Sequence, residues 1–193
     1  MSRARIVAHA GIIAAVYAAL TLVVLQSPLG YGPVQFRLSE AVTVVACLTP
    51  AAIPGLWIGT AVANAYLATQ FGVLAVLDVV FGSAASLLGA LWTWRHRERP
   101  AIALAGPVVA NALIVPAYLP FMLSELAGLD FYRVPALGLD VSGAWLPMYA
   151  FGVVAVGIGQ AAVVYGLGMP LLKLLRRLGV GEMLAGPEAG ESR

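Results

Sequence analysis

Charge is what this sequence has least of. Only 10% of its 193 residues are Asp, Glu, Lys or Arg, against roughly 25% in soluble domains. That scarcity excludes an ordinary water-soluble fold of this length. A single cysteine, Cys47, excludes an intrachain disulfide. Two histidines, His9 and His96, lie near chain segments rich in arginine. With no H-E-x-x-H and no Cys/His cluster, nothing in the pattern provides a catalytic metal site. The phosphate-binding pattern G-x-x-x-x-G-K-[ST] is also missing, so ATP hydrolysis by that route is excluded. A net charge of +2 is too small to point to nucleic acid.

What is present is apolar length. Hydrophobic residues make up 61% of the chain and the mean hydropathy is +0.92. Runs of about 20 apolar residues recur, each long enough for a hydrocarbon core of ~30 Å. The spacing predicts an all-α integral membrane protein. Clear spans are Ala8 to Leu25, Ala51 to Ala68, Val73 to Trp94, Ala101 to Leu123 and Trp145 to Leu167. The segment Leu38 to Thr49 is short for a crossing and ends at Pro50.

Charge placement decides that short segment. Arg3 and Arg5, then Arg95, Arg97 and Arg99, then Lys173, Arg176 and Arg177 account for eight of the eleven Lys and Arg residues. Placing all three clusters on the cytoplasmic side, as the positive-inside rule requires, takes an even number of crossings between them. The short segment must then cross too. The expectation is six transmembrane helices with both termini cytoplasmic, residues 1–178 forming the membrane domain. The Gly-rich polar tail 179–193 is expected to be disordered.

Polar residues inside such a bundle are costly and call for a partner or a function. They are few here: Asn64, Asp78, Asn111 and Gln160, with Arg37 and Glu40 at the outer rim of the second span. Threaded through the topology, all fall at the middle or in the outer half, which predicts a pocket opening outward. The competing reading is structural: Asn and Gln as interhelical glue, Asp78 paired with Arg37, or Arg37 paired with Glu40 three residues away. Small residues mark packed faces: Gly55, Gly59 and Ala63; Asp78, Gly82 and Ser86; Gly152, Ala155, Gly159, Ala162 and Gly166. The first span has two such rows, Ala10, Ala14 and Ala18 beside Gly11, Ala15 and Ala19. That face can pack internally or dock a separate membrane subunit.

The stretches YGPVQFRLSEAVTVV, TPAAIPGLWIGTAVAN and LDVVFGSAASLLGAL, continued by VVANALIVP and YGLGMPLLKLL, resemble the queuosine-precursor transporters of the QueT type. These are substrate-binding S components of energy-coupling-factor (ECF) transporters of prokaryotic cell membranes. The likeness runs over about residues 8 to 175, and its specific part is Pro33 to Glu40. The resemblance implies a non-catalytic, multi-pass transport subunit, without cofactor or metal, that takes a deazaguanine base at the outer face. Queuine and its aminomethyl and cyano precursors are the cargo it implies. ATP would be hydrolysed by two cytoplasmic ATPases coupled through a transmembrane T subunit, against which Ala10, Ala14 and Ala18 would dock. Glu40 would accept the two adjacent donors of a guanine-like edge. Asn64, Asn111 or Gln160 would donate to its carbonyl, and Asp78 would face an aminomethyl arm. Gln35, Phe36 and Arg37 would belong to the lid around the cargo, with Tyr149 among the aromatic faces near it. The alternatives are an S component for another vitamin or nucleobase, a small intramembrane enzyme using Asp78 and Glu40, or an assembly subunit with no ligand.

Overall fold

A computed structural model describes residues 2–25, 36–123 and 131–185. The described chain is almost wholly helical. Helix α1 runs Arg3–Leu25 and α2 runs Ala52–Phe71. Between them lies a ten-residue 3-10 helix, Leu38–Cys47. A short 3-10 turn, Val73–Ala75, and a π-helical stretch, Asp78–Gly82, lead into α3, Ser83–Arg95. Helices α4, Pro100–Ala103, and α5, Ala105–Leu123, follow. A small hairpin pairs β1, Arg133–Val134, with β2, Leu139–Asp140. Helix α6, Trp145–Val163, passes through a second π stretch, Val164–Gly168, into α7, Met169–Arg177. The polar tail expected from residue 179 opens with one short helix, α8, Val180–Ala185.

Among the described residues, four helical segments are both long and apolar enough to cross a membrane: Arg3–Val24, Val73–Arg95, Pro100–Leu123 and Trp145–Arg177. Helix α2 has the length, at 20 residues, but Thr60, Asn64, Thr69 and Gln70 dilute its apolar character. The Leu38–Cys47 segment is apolar and shorter. At ~2.0 Å per residue a 3-10 helix of ten residues reaches ~20 Å, where an α-helix would reach ~15 Å. Its walls are buried nearly all round: Ser39, Glu40, Val42, Thr43, Val44, Ala46 and Cys47 are out of contact with the surroundings. It packs against α1, α3 and the Val164–Gly168 stretch, at the centre of the bundle.

Close packing comes from the small residues, as the sequence predicts for two of the rows. A Cβ at Gly55 would stand 2.9 Å from the Ala10 carbonyl oxygen, and one at Gly59 would stand 2.8 Å from that of Ala14. The backbones of α1 and α2 therefore touch. On α6 the row holds through Gly152, whose Cβ would meet Pro116 at 2.7 Å, and through Ala155 and Gly159. It then fails: Ala162 and Gly166 are exposed. The wider π turn that follows brings Val164 and Gly168 inward instead, with Gly168 against Val44.

Candidate functional site

The site is built around the 3-10 helix. Residues three apart eclipse in that geometry, so Glu40 and Thr43 share one edge, while Arg37 caps its start in extended backbone, its carbonyl accepting from the Glu40 N–H at 2.9 Å. An α-helix would have turned Glu40 and Thr43 apart. Thr43 Oγ1 donates to the Glu40 carbonyl at 2.7 Å, fixing this edge. The Glu40 side chain is 1% exposed. One of its oxygens, Oε1, accepts a hydrogen bond from the Tyr17 hydroxyl of α1. The other, Oε2, is buried and has no hydrogen-bond partner among the described residues. The Gln160 side chain of α6 lies beside this carboxylate, and its own Oε1 is buried and unpartnered as well.

Asp78 forms the second half. The π stretch opens the helix at Asp78–Gly82, a distortion that often accompanies functional sites. Asn64 Nδ2 on α2 donates to the Asp78 carbonyl at 2.8 Å. The Asp78 carboxylate accepts from Tyr118 on α5 through Oδ1, and Oδ2 lies 3.4 Å from Arg37 Nη2. Gly82 makes room for it, since a Cβ there would stand 2.4 Å from Asp78 Oδ1 and 2.9 Å from Asn64 Nδ2. Arg37 then reaches from the Glu40 edge to Asp78 and joins the two halves. Together with Asn111, Val115, Val156 and Gln160 it lines a cavity of about 20 Å³. That volume suits one water. A heterocyclic base would enter only by moving these side chains.

The chemistry on offer is recognition. Two buried carboxylates face one guanidinium, so the pocket carries excess acceptor capacity. Three further buried acceptor atoms, Glu40 Oε2, Gln160 Oε1 and Asn64 Oδ1, have no partner among the described residues. Such atoms are expensive to bury unpaired, and a donor-rich ligand would satisfy them. No Ser, Cys or His nucleophile is placed against these carboxylates among the described contacts.

Of the residues singled out from sequence, Arg37, Glu40, Asn64, Asp78, Asn111 and Gln160 converge on this cluster. Asn111 differs in role, because its Nδ2 is spent on the Pro107 carbonyl of its own helix at 3.0 Å. Arg37 pairs with Asp78, not with Glu40. Phe36 is half-buried beside Arg37, and Gln35 lies outside the described residues. Tyr149 stands apart. Its ring stacks on Trp145 with centroids 5.0 Å apart, and its hydroxyl donates to the Leu113 carbonyl at 3.3 Å.

The docking row requires correction. Ala10, Ala14 and Ala18 are each buried to more than nine-tenths, held against α2 by the glycine contacts described above. They face inward. The row left exposed on α1 is Gly11, Ala15 and Ala19, and nothing lies within 4 Å of a Cβ built at Gly11.

Two functional residues were not read from sequence, Tyr17 and Tyr118. Both had a signal. Tyr17 has the one aromatic ring in α1, and a buried tyrosine hydroxyl needs a partner. Tyr118 sits between Pro116 and Pro120 within an apolar helix, where the same need of a buried hydroxyl for a partner applies.

No curated protein and no solved structure matches the chain. The model of one family, described as QueT transporter, matches residues 7–177. The match extends over nearly the whole sequence and includes every residue of the Arg37–Glu40–Asp78 cluster. With its apolar spanning helices, the chain belongs to the QueT transporter family of membrane proteins.

Proposed function

We propose that this chain is the substrate-binding S component of an ECF-type importer, and that it captures a deazaguanine queuosine precursor. The observation that carries this reading is Glu40: a buried carboxylate with one oxygen held by Tyr17 and the other unpaired beside Gln160. A deazaguanine presents its ring N–H and exocyclic amine in parallel, and a carboxylate accepts both with charge-assisted bonds. Its carbonyl takes a donor from Arg37 or the Gln160 amide. The Asn64 and Asn111 amides are already engaged.

Charge refines the cargo. Glu40 and Asp78 together outnumber Arg37, so a cationic aminomethyl arm lowers the electrostatic cost of the closed pocket. The neutral cyano form lacks that gain. In this reading the Arg37–Asp78 pair holds the empty pocket together, and the arm replaces Arg37 at Asp78 when cargo enters.

The transport cycle follows from six crossings with both termini in the cytoplasm of a prokaryotic cell. Cargo enters from outside, and energy comes from two partner ATPases through a T subunit. The exposed row Gly11, Ala15 and Ala19 is the face that docks that subunit, since it allows close backbone approach in lipid. The chain itself is non-catalytic.

Calorimetry on the detergent-purified protein tests the cargo. Queuine, its aminomethyl and cyano precursors, guanine and a vitamin panel would be titrated in turn. Submicromolar binding of the aminomethyl base, with guanine far weaker, is the expected result. Tight binding of a vitamin and of no deazaguanine would keep the S-component role and discard the cargo. No binding of any compound by folded protein would overturn both.

A further inference from the structure

A second cavity lies far from the polar cluster, on the outer surface of the bundle. It is a groove of about 310 Å³ between α3 and α5, lined by Leu88, Trp92, Ala105, Gly106, Val109 and Ala110. That size is at the lower end of small-molecule sites, ~300–1,000 Å³, but its walls are almost wholly apolar. Gly106 forms its floor. A Cβ there would stand 2.4 Å from Trp92 Cδ1, so only glycine lets the indole lie across α5. The indole is fixed along the same edge, where the adjacent Nε1 donates to the Ile102 carbonyl at 2.9 Å.

One end of this groove is basic. The Trp92 ring packs on His96 with centroids 4.1 Å apart, and the His96 N–H bonds the Trp92 carbonyl at 3.0 Å. Arg99 is tied in on both sides: its N–H bonds the His96 carbonyl at 2.8 Å, and its carbonyl accepts from Ile102 at 3.0 Å. The turn holding Arg95, Arg97 and Arg99 is therefore knitted to the groove mouth. Arg97 is engaged locally, with its guanidinium 4.1 Å over Trp94 and a bond to the Trp94 carbonyl. Arg95 and Arg99 are exposed and have no ion-pair partner among the described residues.

We propose that this groove is a site for an anionic phospholipid. One acyl chain lies along Leu88, Trp92, Gly106 and Val109, and the phosphate is met by Arg95 and Arg99. An apolar channel alone would take any lipid. Arg95, one turn beyond Trp92 on α3, and Arg99, whose backbone is bonded to His96 and Ile102, are exposed cations without an ion-pair partner among the described residues. They select a negative headgroup, as basic pockets between spanning helices do. The tryptophan at the junction matches the usual depth of indoles at the membrane interface. The site shares no residue with the Glu40–Asp78 cluster, so it stands whatever the transported molecule is.

Native mass spectrometry of the full chain, titrated with phosphatidylglycerol or phosphatidylcholine, tests this. The expected result is preferential retention of phosphatidylglycerol. Each arginine neutralised should lower its affinity about fivefold, so R95Q/R99Q should erase most of the preference while leaving phosphatidylcholine binding unchanged. Ala110→Phe, which fills the groove without touching charge, should reduce retention of both lipids. Equal retention of the two lipids by the wild-type chain would overturn the proposal. So would a preference that survives R95Q/R99Q in protein whose circular dichroism is unchanged. Occupation of the groove by a second copy of the chain, seen as disulfide-linked dimers of Ala110→Cys that bind no lipid, would also overturn it.

Discussion

Arg37 and Asp78, 41 positions apart in the chain, meet with Nη2 3.4 Å from Oδ2. The arginine side chain remains 25% exposed and the aspartate only 6%. The pair thus spans the boundary of the cluster, with its acidic partner inside and its basic partner at the start of the 3-10 helix. A double-mutant cycle with Arg37→Gln and Asp78→Asn measures the coupling. It should lie between the ~0.2–1 kcal/mol of exposed pairs and the ~3–5 kcal/mol lost on breaking buried ones. Thermal unfolding in detergent reads it. A coupling near zero would mean that Tyr118 and Asn64 hold Asp78 without the arginine.

Tyr17 and Glu40 give a second test. Tyr17→Phe keeps the ring packing and removes the only donor to Glu40 Oε1 among the described residues. It should cost about 1–3 kcal/mol of stability, the penalty for an acceptor left buried and unpaired. Glu40→Gln should leave the fold intact and weaken deazaguanine binding by roughly 1.5–3 kcal/mol, since the charge-assisted bonds are lost. Unchanged affinity in Glu40→Gln would remove Glu40 from recognition.

Two glycines should respond oppositely to the same change. Gly82→Ala drives a methyl into Asp78 Oδ1 and Asn64 Nδ2, and overpacking of this kind costs ~1–3 kcal/mol. At Gly166 nothing lies within 4 Å of the added carbon, so Gly166→Ala should be neutral or slightly stabilising. Melting temperatures of the two variants decide it. Equal values would show that the π stretch relaxes around the extra methyl.

The two faces of α1 can be separated in the same way. Ala14→Leu overfills the contact with Gly59 and should lower the melting temperature of the isolated chain. Ala15→Leu projects outward and should leave that temperature unchanged while reducing co-purification with a T subunit. Loss of assembly in neither variant would place the docking face elsewhere.

The β1–β2 hairpin carries a pH dependence of its own. Hydrogen bonds from the Ser142 hydroxyl and N–H, together with the Arg133 guanidinium 3.0 Å away, hold the Asp140 carboxyl down at about 2, below its ordinary 3.8. A depressed pKa means that the folded hairpin favours the ionised acid. Its stabilisation is therefore complete above the ordinary value and fades as pH falls through about 2. Ser142→Ala should move the Asp140 midpoint upward, followed by carboxyl-carbon NMR. An unmoved midpoint would assign the shift to the Ser142 N–H and Arg133.

The amino-acid sequence by itself determined the class, the main helices and the polar inventory. Apolar runs of spanning length fix where α1, α5 and α6 lie to within about five residues, because burying them in lipid needs no distant partner; the run from Val73 to Trp94 instead divides into a 3-10 turn, a π stretch and α3. The scarce polar residues were legible for the same reason: in an apolar chain each one costs energy and stands out. Tertiary structure alone decided how they pair. Leu38–Cys47 reads as a short apolar segment, and only the close packing of α1, α3 and the second π stretch around it reveals that Glu40 meets Tyr17 while Arg37 meets Asp78. Helix α1 shows the limit most clearly. Its rows Ala10–Ala14–Ala18 and Gly11–Ala15–Ala19 are nearly equivalent in size, apolarity and spacing. Gly55 and Gly59, some 45 residues later, select the first row for the core, so the choice lies in a long-range backbone contact that no local pattern encodes.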